Sequence, residues 1–117
     1  MAMPRRLALA VILCALAAMP AVAQPKYGPG ASDGAIKVGN IMPYSGPLSA
    51  YAIIAKTQAA YFRKINAEGG INRRKIDFVS YDDGYSPPKT VEQARKLVES
   101  DEVLLIFQSL EIGRAHV

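Results

Sequence analysis

The sequence predicts an α/β fold, a parallel-sheet βαβαβ unit placed behind an export signal. Three observations carry this. Between Ile36 and Phe107, short apolar runs alternate with longer segments whose apolar residues recur at helical spacing. The joints between them are rich in Pro, Gly, Ser and Asp, the residues of turns and caps. The N-terminus carries a basic pair, an uncharged apolar stretch and a small-x-small tripeptide. An exported parallel unit with no usable cysteine suggests a ligand-binding lobe more than an enzyme.

Residues 1–23 read as a cleaved signal peptide. Arg5 and Arg6 form its basic region, Leu7 to Ala18 its apolar core, and Pro20 precedes the cleavage site at Ala21-Val22-Ala23. The apolar run is shorter than the ~20 residues a spanning helix needs. Cys14 is the only cysteine, and Leu13 stands before it where a lipoprotein signal wants a small residue. The chain from Gln24 therefore has no thiol for a disulfide, a metal or nucleophilic catalysis. Removing Arg5 and Arg6 leaves 12 Lys+Arg against 10 Asp+Glu, a charge of +2. These charges are scattered except at Arg73-Arg74-Lys75, which a solvated turn explains better than a nucleic-acid patch. No nucleic-acid partner is expected.

Residues 24–34, rich in Pro, Gly and Ala, read as a flexible leader. The first strand is expected from Ala35 to Met42, with Ile36, Val38 and Ile41 buried and Pro43 stopping it. A helix follows from Ser49 to Ala67, in which Ile54, Tyr61, Phe62 and Ile65 share one face. Gly69-Gly70 ends it, and Asn72-Arg73 makes a turn. The second strand spans Lys75 to Tyr81. Ser86 as N-cap with Pro87 behind it opens a second helix to Ser100, whose stripe is Val91, Ala94, Leu97 and Val98. Val103 to Phe107, apolar throughout, reads as a central parallel strand.

Ligands of open parallel sheets bind at the carboxyl ends of the strands. Three loops qualify: Pro43–Ser49, Asp82–Ser86 and the segment after Phe107. In the first, Ser45 and Ser49 offer hydroxyls and Gly46 permits close approach. No acidic residue lies in the first turn of the following helix, so its N–H groups could face an anion. An ordinary capped turn with Ser49 as N-cap accounts for the same residues. Tyr44 and Tyr51 bracket this loop and could close over a ligand or pack on the sheet. Asp82-Asp83 lacks the partners that acid–base or metal chemistry requires. A turn with one Asp bonded to local N–H groups is the simpler reading. No phosphate-binding loop, dinucleotide fingerprint, metal-spaced His cluster or nucleophile elbow is present.

Three runs carry a resemblance. Pro43-Tyr-Ser-Gly-Pro-Leu-Ser-Ala-Tyr51, Asn66-Ala-Glu-Gly-Gly-Ile-Asn72 and Tyr81-Asp-Asp83, with Pro88 and Ala94-Arg-Lys-Leu97 after it, occur in order at matching spacing. Over Ala35 to Leu110 the chain resembles the substrate-binding proteins of branched-chain amino acid ABC transporters, of the leucine/isoleucine/valine type. The resemblance implies a bilobal periplasmic protein that closes on a solute and hands it to a membrane permease, with no catalysis of its own and no cofactor. It implies that residues 35–110 are the first part of the N-terminal lobe. It also implies that Ser45 and Tyr51 face the cleft, and that Ser109 and Leu110 begin the loop contacting the solute's α-carboxylate and ammonium. Tyr85 stands near a position where some relatives have a disulfide cysteine, and could reshape the cleft. The solute could then be a branched-chain or other amino acid, an amide or an aromatic acid. An exported sensor lobe serving a signalling partner is the alternative.

The last seven residues depart from the resemblance. Glu111-Ile-Gly-Arg-Ala-His-Val117 back-translates as GAG ATC GGA AGA GCA CAC GTC, which contains a common sequencing-library adapter. Residues 111–117 are therefore expected to be adapter read-through, and resequencing the locus tests this. The piece from residue 24 is expected to fold poorly alone, because a truncated parallel sheet exposes apolar surface and open edges.

Overall fold

A computed structural model describes residues 26–110. The expected signal peptide and the proposed non-native tail at 111–117 lie outside the described residues. Strand β1 (Ala35–Met42) is the middle of a three-stranded parallel sheet ordered β2-β1-β3. It runs beside β2 (Lys75–Asp82) in unbroken register from Ala35↔Lys75 to Met42↔Asp82. On its other side β3 (Leu105–Ile106) pairs at Val38↔Leu105 and Gly39↔Ile106. Parallel neighbours need crossovers, and helices supply them here. Helix α1 (Ala52–Ala67) joins β1 to β2, and α2 (Pro87–Arg95) begins the return to β3.

Burial concentrates in β1, where Ile41 and Met42 are almost wholly enclosed together with Asn40. Gly39 lets the second crossover approach. A Cβ there would stand 3.0 Å from Leu97 Cδ1 and 3.2 Å from Val103 Cγ2. Leu97 is fully buried as a result.

Helix α1 is preceded by a 3₁₀ turn at Ser49–Tyr51, so the expected single helix from Ser49 has two parts. Its buried residues are Ala52 and Ala55, small enough to let the helix lie close to the sheet. Phe62 packs its ring against Phe78 and Phe107, at centroid distances of 5.1 and 6.1 Å. Ile54 and Tyr61, expected in the buried stripe, are exposed instead. The helix is stopped at Gly69-Gly70, where Gly70 N–H returns to Ile65 O. Asn66 then ties the helix end to β2, accepting from Ile76 N–H at 2.7 Å and donating to Ile76 O at 2.8 Å.

The second helix also changes character. After Arg95 it widens into a π-type turn over Lys96–Ser100. Leu97 is buried, but Val98, expected beside it, is 57% exposed. The third strand departs most from expectation. Among the described residues it is a flank and not the centre, and Leu104 to Phe107 are exposed. The leader is also less loose than its composition suggests. Lys37 N–H donates to Gly30 O, Lys75 N–H to Gly34 O, and Arg74 reaches the Tyr27 hydroxyl at 2.8 Å. Among the described residues no helix is long and apolar enough to cross a membrane.

Candidate functional site

The parallel register brings the carboxyl ends of all three strands to one side of the sheet. Each strand is followed there by a loop: Pro43 to Leu48 (loop 1), Asp83 to Ser86 (loop 2) and Phe107 to Leu110 (loop 3). All five residues expected to meet a solute lie in these loops or in the 3₁₀ turn after loop 1.

Loops 1 and 2 are joined by Asp82, the last residue of β2. Its Oδ1 accepts from the N–H groups of Tyr44 (2.8 Å), Ser45 (3.1 Å) and Gly84 (2.9 Å). Its Oδ2 accepts from Ser45 Oγ at 2.5 Å. Partial burial raises the Asp82 pKa, but the bonds from Ser45, Gly84 and Tyr44 outweigh it, and the net shift is downward. The sequence reading left loop 1 open to an anion. The structure turns its Tyr44 and Ser45 donors onto Asp82, and the N–H groups of Ser49 and Tyr51 onto the carbonyls of Gly46 and Leu48. Ser49 makes no side-chain cap bond.

Loop 2 is organised by Asp83, which is fully buried. It accepts from Tyr85 N–H at 3.0 Å and from Thr90 Oγ1 at 2.7 Å. Asp83 thus ties the loop to the Thr90 side chain of α2, while Ser86, which precedes Pro87 as expected of an N-cap, makes no side-chain cap bond. Tyr85 has φ +60, a left-handed conformation that costs a bulky residue roughly 1–2 kcal/mol. Its bond to Asp83 helps hold it there.

Loop 3 is fixed from β1. Asn40 Nδ2 donates to Phe107 O at 2.8 Å and to Gln108 O at 3.1 Å. Its Oδ1 accepts from Ser80 Oγ at 2.7 Å. Tyr44 OH lies 2.6 Å from Ser80 Oγ. Since the Ser80 proton goes to Asn40, Tyr44 is the donor in that bond. Beyond Gln108, at φ +47, Ser109 Oγ accepts from Ile41 N–H at 3.0 Å and Leu110 N–H reaches Ile41 O at 3.3 Å.

Ser45 is thus exposed with its hydroxyl proton on Asp82, and Tyr51 is 49% exposed on the 3₁₀ turn. Tyr85, Ser109 and Leu110 are half-buried. The expected turn with an Asp bonded to local N–H groups is present, at Asp82 with Gly84 and at Asp83 with Tyr85, but sequence reasoning missed the reach of Asp82 to loop 1 and the roles of Asn40 and Ser80. The signal available was two polar residues inside strands that are otherwise largely apolar. A groove of about 290 Å³ between α1 and β3, lined by Tyr61, Phe62, Phe107, Thr57, Gln58 and Gln108, reaches the strand ends only at Gln108. A hollow of about 210 Å³ beside Gly30, Lys37 and Asp77 lies towards the opposite end of the sheet.

A family model described as periplasmic binding protein matches residues 35–115. The chain belongs to this family. The match runs five residues into the segment expected to be adapter read-through. The chain of this periplasmic binding protein is 33% identical over 96 residues to Leu/Ile/Val-binding protein homolog 7 of Brucella abortus. That alignment covers 81% of this chain and 23% of the relative. The branched-chain amino acid transporter substrate binding protein LivJ from Streptococcus pneumoniae, solved with isoleucine, superposes with a TM-score of 0.59 at 27% identity. That superposition covers 62% of this chain and 21% of LivJ. A solute binding protein of an R. palustris ABC transporter, solved with benzoate, gives 0.55 at 33% identity, over 70% of this chain and 22% of its own. The chain spans about a quarter or less of the length of each relative.

Proposed function

We propose that this protein is the extracytoplasmic solute-binding component of an ABC importer. It captures an amino acid or similar small carboxylate and delivers it to a membrane permease, without catalysis of its own. The observation that carries this is the 33% identity over 96 residues to a Leu/Ile/Val-binding homologue. The isoleucine and benzoate named with the two solved relatives share a carboxylate on an apolar body.

In this reading Tyr51 and Tyr85 line the apolar part of the cleft. Ser109 keeps its own proton, since it accepts from Ile41 N–H, and can donate to the solute carboxylate. Leu110 adds apolar contact beside it. Ser45 offers lone pairs and not its proton, so it suits an ammonium or amide donor. A second lobe closes the site, since a small ligand is usually buried by 70% or more. Residues 1–23 direct export and are removed.

The test is recovery of the full-length gene and calorimetric titration of its product with leucine, an amide and benzoate. Saturable binding of one of them is expected. Absence of heat from all three would leave the solute assignment without support.

A further inference from the structure

Loops 1 and 2 meet at a single carboxylate, and their backbones touch there as well. A Cβ on Gly46 would stand 3.0 Å from Gly84 O, and one on Gly84 would stand 3.3 Å from Ser45 Oγ. Both glycines have positive φ, +80 and +56. The contact therefore depends on two residues that can take this backbone shape and leave no side chain between the loops.

We propose that Asp82 is a positioning residue for the solute site, holding the Tyr44–Ser45 corner of loop 1 against Gly84 of loop 2 so that Ser45, Tyr51 and Tyr85 form one arrangement. The proposal rests on the solute-binding reading above. An ionised carboxylate has about four lone-pair sites. Asp82 already accepts from Tyr44, Ser45 N–H, Ser45 Oγ and Gly84. Oδ1 is fully engaged by three loop N–H groups and Oδ2 by Ser45 Oγ, so every bond shown for this carboxylate goes to the two loops. The partners lie 37 and 38 residues away in sequence on the β1 side, and two residues away on the β2 side. Asp82 therefore bonds both loops at once, whereas the Tyr44–Ser80 bond ties loop 1 to the strand alone.

Three variants of the full-length protein test this. Asp82→Asn removes the charge but keeps an oxygen for the N–H groups of Tyr44, Ser45 and Gly84, and its NH2 meets Ser45 Oγ, which can accept from it. Asp82→Ala removes the acceptor. Asp77→Asn removes a charge from an exposed position of the same strand, away from the loops. Amide exchange is followed at Tyr44, Ser45 and Gly84, and affinity is titrated with leucine and benzoate. In Asp82→Asn exchange at these amides should change little, and in Asp82→Ala it should rise about tenfold with the melting temperature largely kept. Affinity of Asp82→Ala for the solute that binds should fall about tenfold. Asp77→Asn should change neither. Wild-type exchange at Tyr44 and Ser45 in Asp82→Ala would overturn the proposal, and so would wild-type affinity. If the unmodified protein takes up neither solute, the solute reading fails, and the exchange data alone decide whether Asp82 holds the loops.

Discussion

The two flanks of β1 are built to different degrees of completeness. On the β2 side the register runs for all eight residues. Asp82 closes it at the carboxyl end, and Asn66 brackets Ile76 near the other. Phe62 covers Phe78. On the β3 side only two residues pair as strand, and Leu104, Leu105, Ile106 and Phe107 are 48, 47, 38 and 36% exposed. Yet this side is also fixed by polar bonds, from Asn40 and Ser109. The difference teaches that hydrogen bonding and apolar cover are separate conditions on a parallel strand. β3 meets the first and lacks the second, whereas parallel sheets are ordinarily covered on both faces.

The largest effect should come from testing that lack directly. Residues 24–117 alone should show no cooperative calorimetric transition and should bind a hydrophobic dye, because the β3 flank offers apolar surface and an open edge. A sharp melt of a monomer would show that the flank needs no cover.

Within the full-length protein, Asn40→Leu should cost about 2 kcal/mol by denaturant titration, since the part-buried carbonyls of Phe107 and Gln108 lose their donor and the Ser80 hydroxyl loses its acceptor. Ser109→Ala should cost less, about 1 kcal/mol, because only Ile41 N–H loses its acceptor. If the two losses were equal, loop 3 would be held by strand pairing and not by Asn40.

The extent to which the sequence foretold these flanks follows the same division. β1 and β2 were legible almost to the residue, because apolar runs end at Pro43 and at Asp82-Asp83. The family resemblance and the loops at the strand ends were legible too. The exposure of Ile54, Tyr61 and Val98 was not, since helical spacing shows which side of a helix is apolar and not whether anything lies against it. The long-range bonds of Asp82 and Asn40 were illegible for another reason. Their partners are set by the register Met42↔Asp82 and Asn40↔Ser80, and a register between strands about 40 residues apart is a property of the assembled sheet. Loop 1 was left open between an anion site and an ordinary capped turn, because the first turn of the helix after it includes no acid. The acid comes from the neighbouring strand.

The smallest expected effect distinguishes the flanks by charge. Loop 1 is held by a carboxylate, while the Asn40 network that holds loop 3 contains none. Burial raises the Asp82 pKa, but hydrogen bonds lower it by more, so the folded value lies below the ordinary 3.8. The folded carboxyl is then the stronger acid. Its contribution is fully present above the ordinary value and is lost as pH falls through the folded one. Because Asp82 is exposed, the effect should stay under about 1 kcal/mol after solvent screening. Below about pH 4, amide exchange corrected for its intrinsic rate should rise at Tyr44 and Ser45 before it rises at Phe107 and Leu110. Asp82→Asn should abolish this order, because an amide keeps the acceptor for loop 1 and has no carboxyl to protonate. Simultaneous loosening of both pairs in the unmodified protein would mean that acid acts on the sheet as a whole, and that the carboxylate does not set the flanks apart.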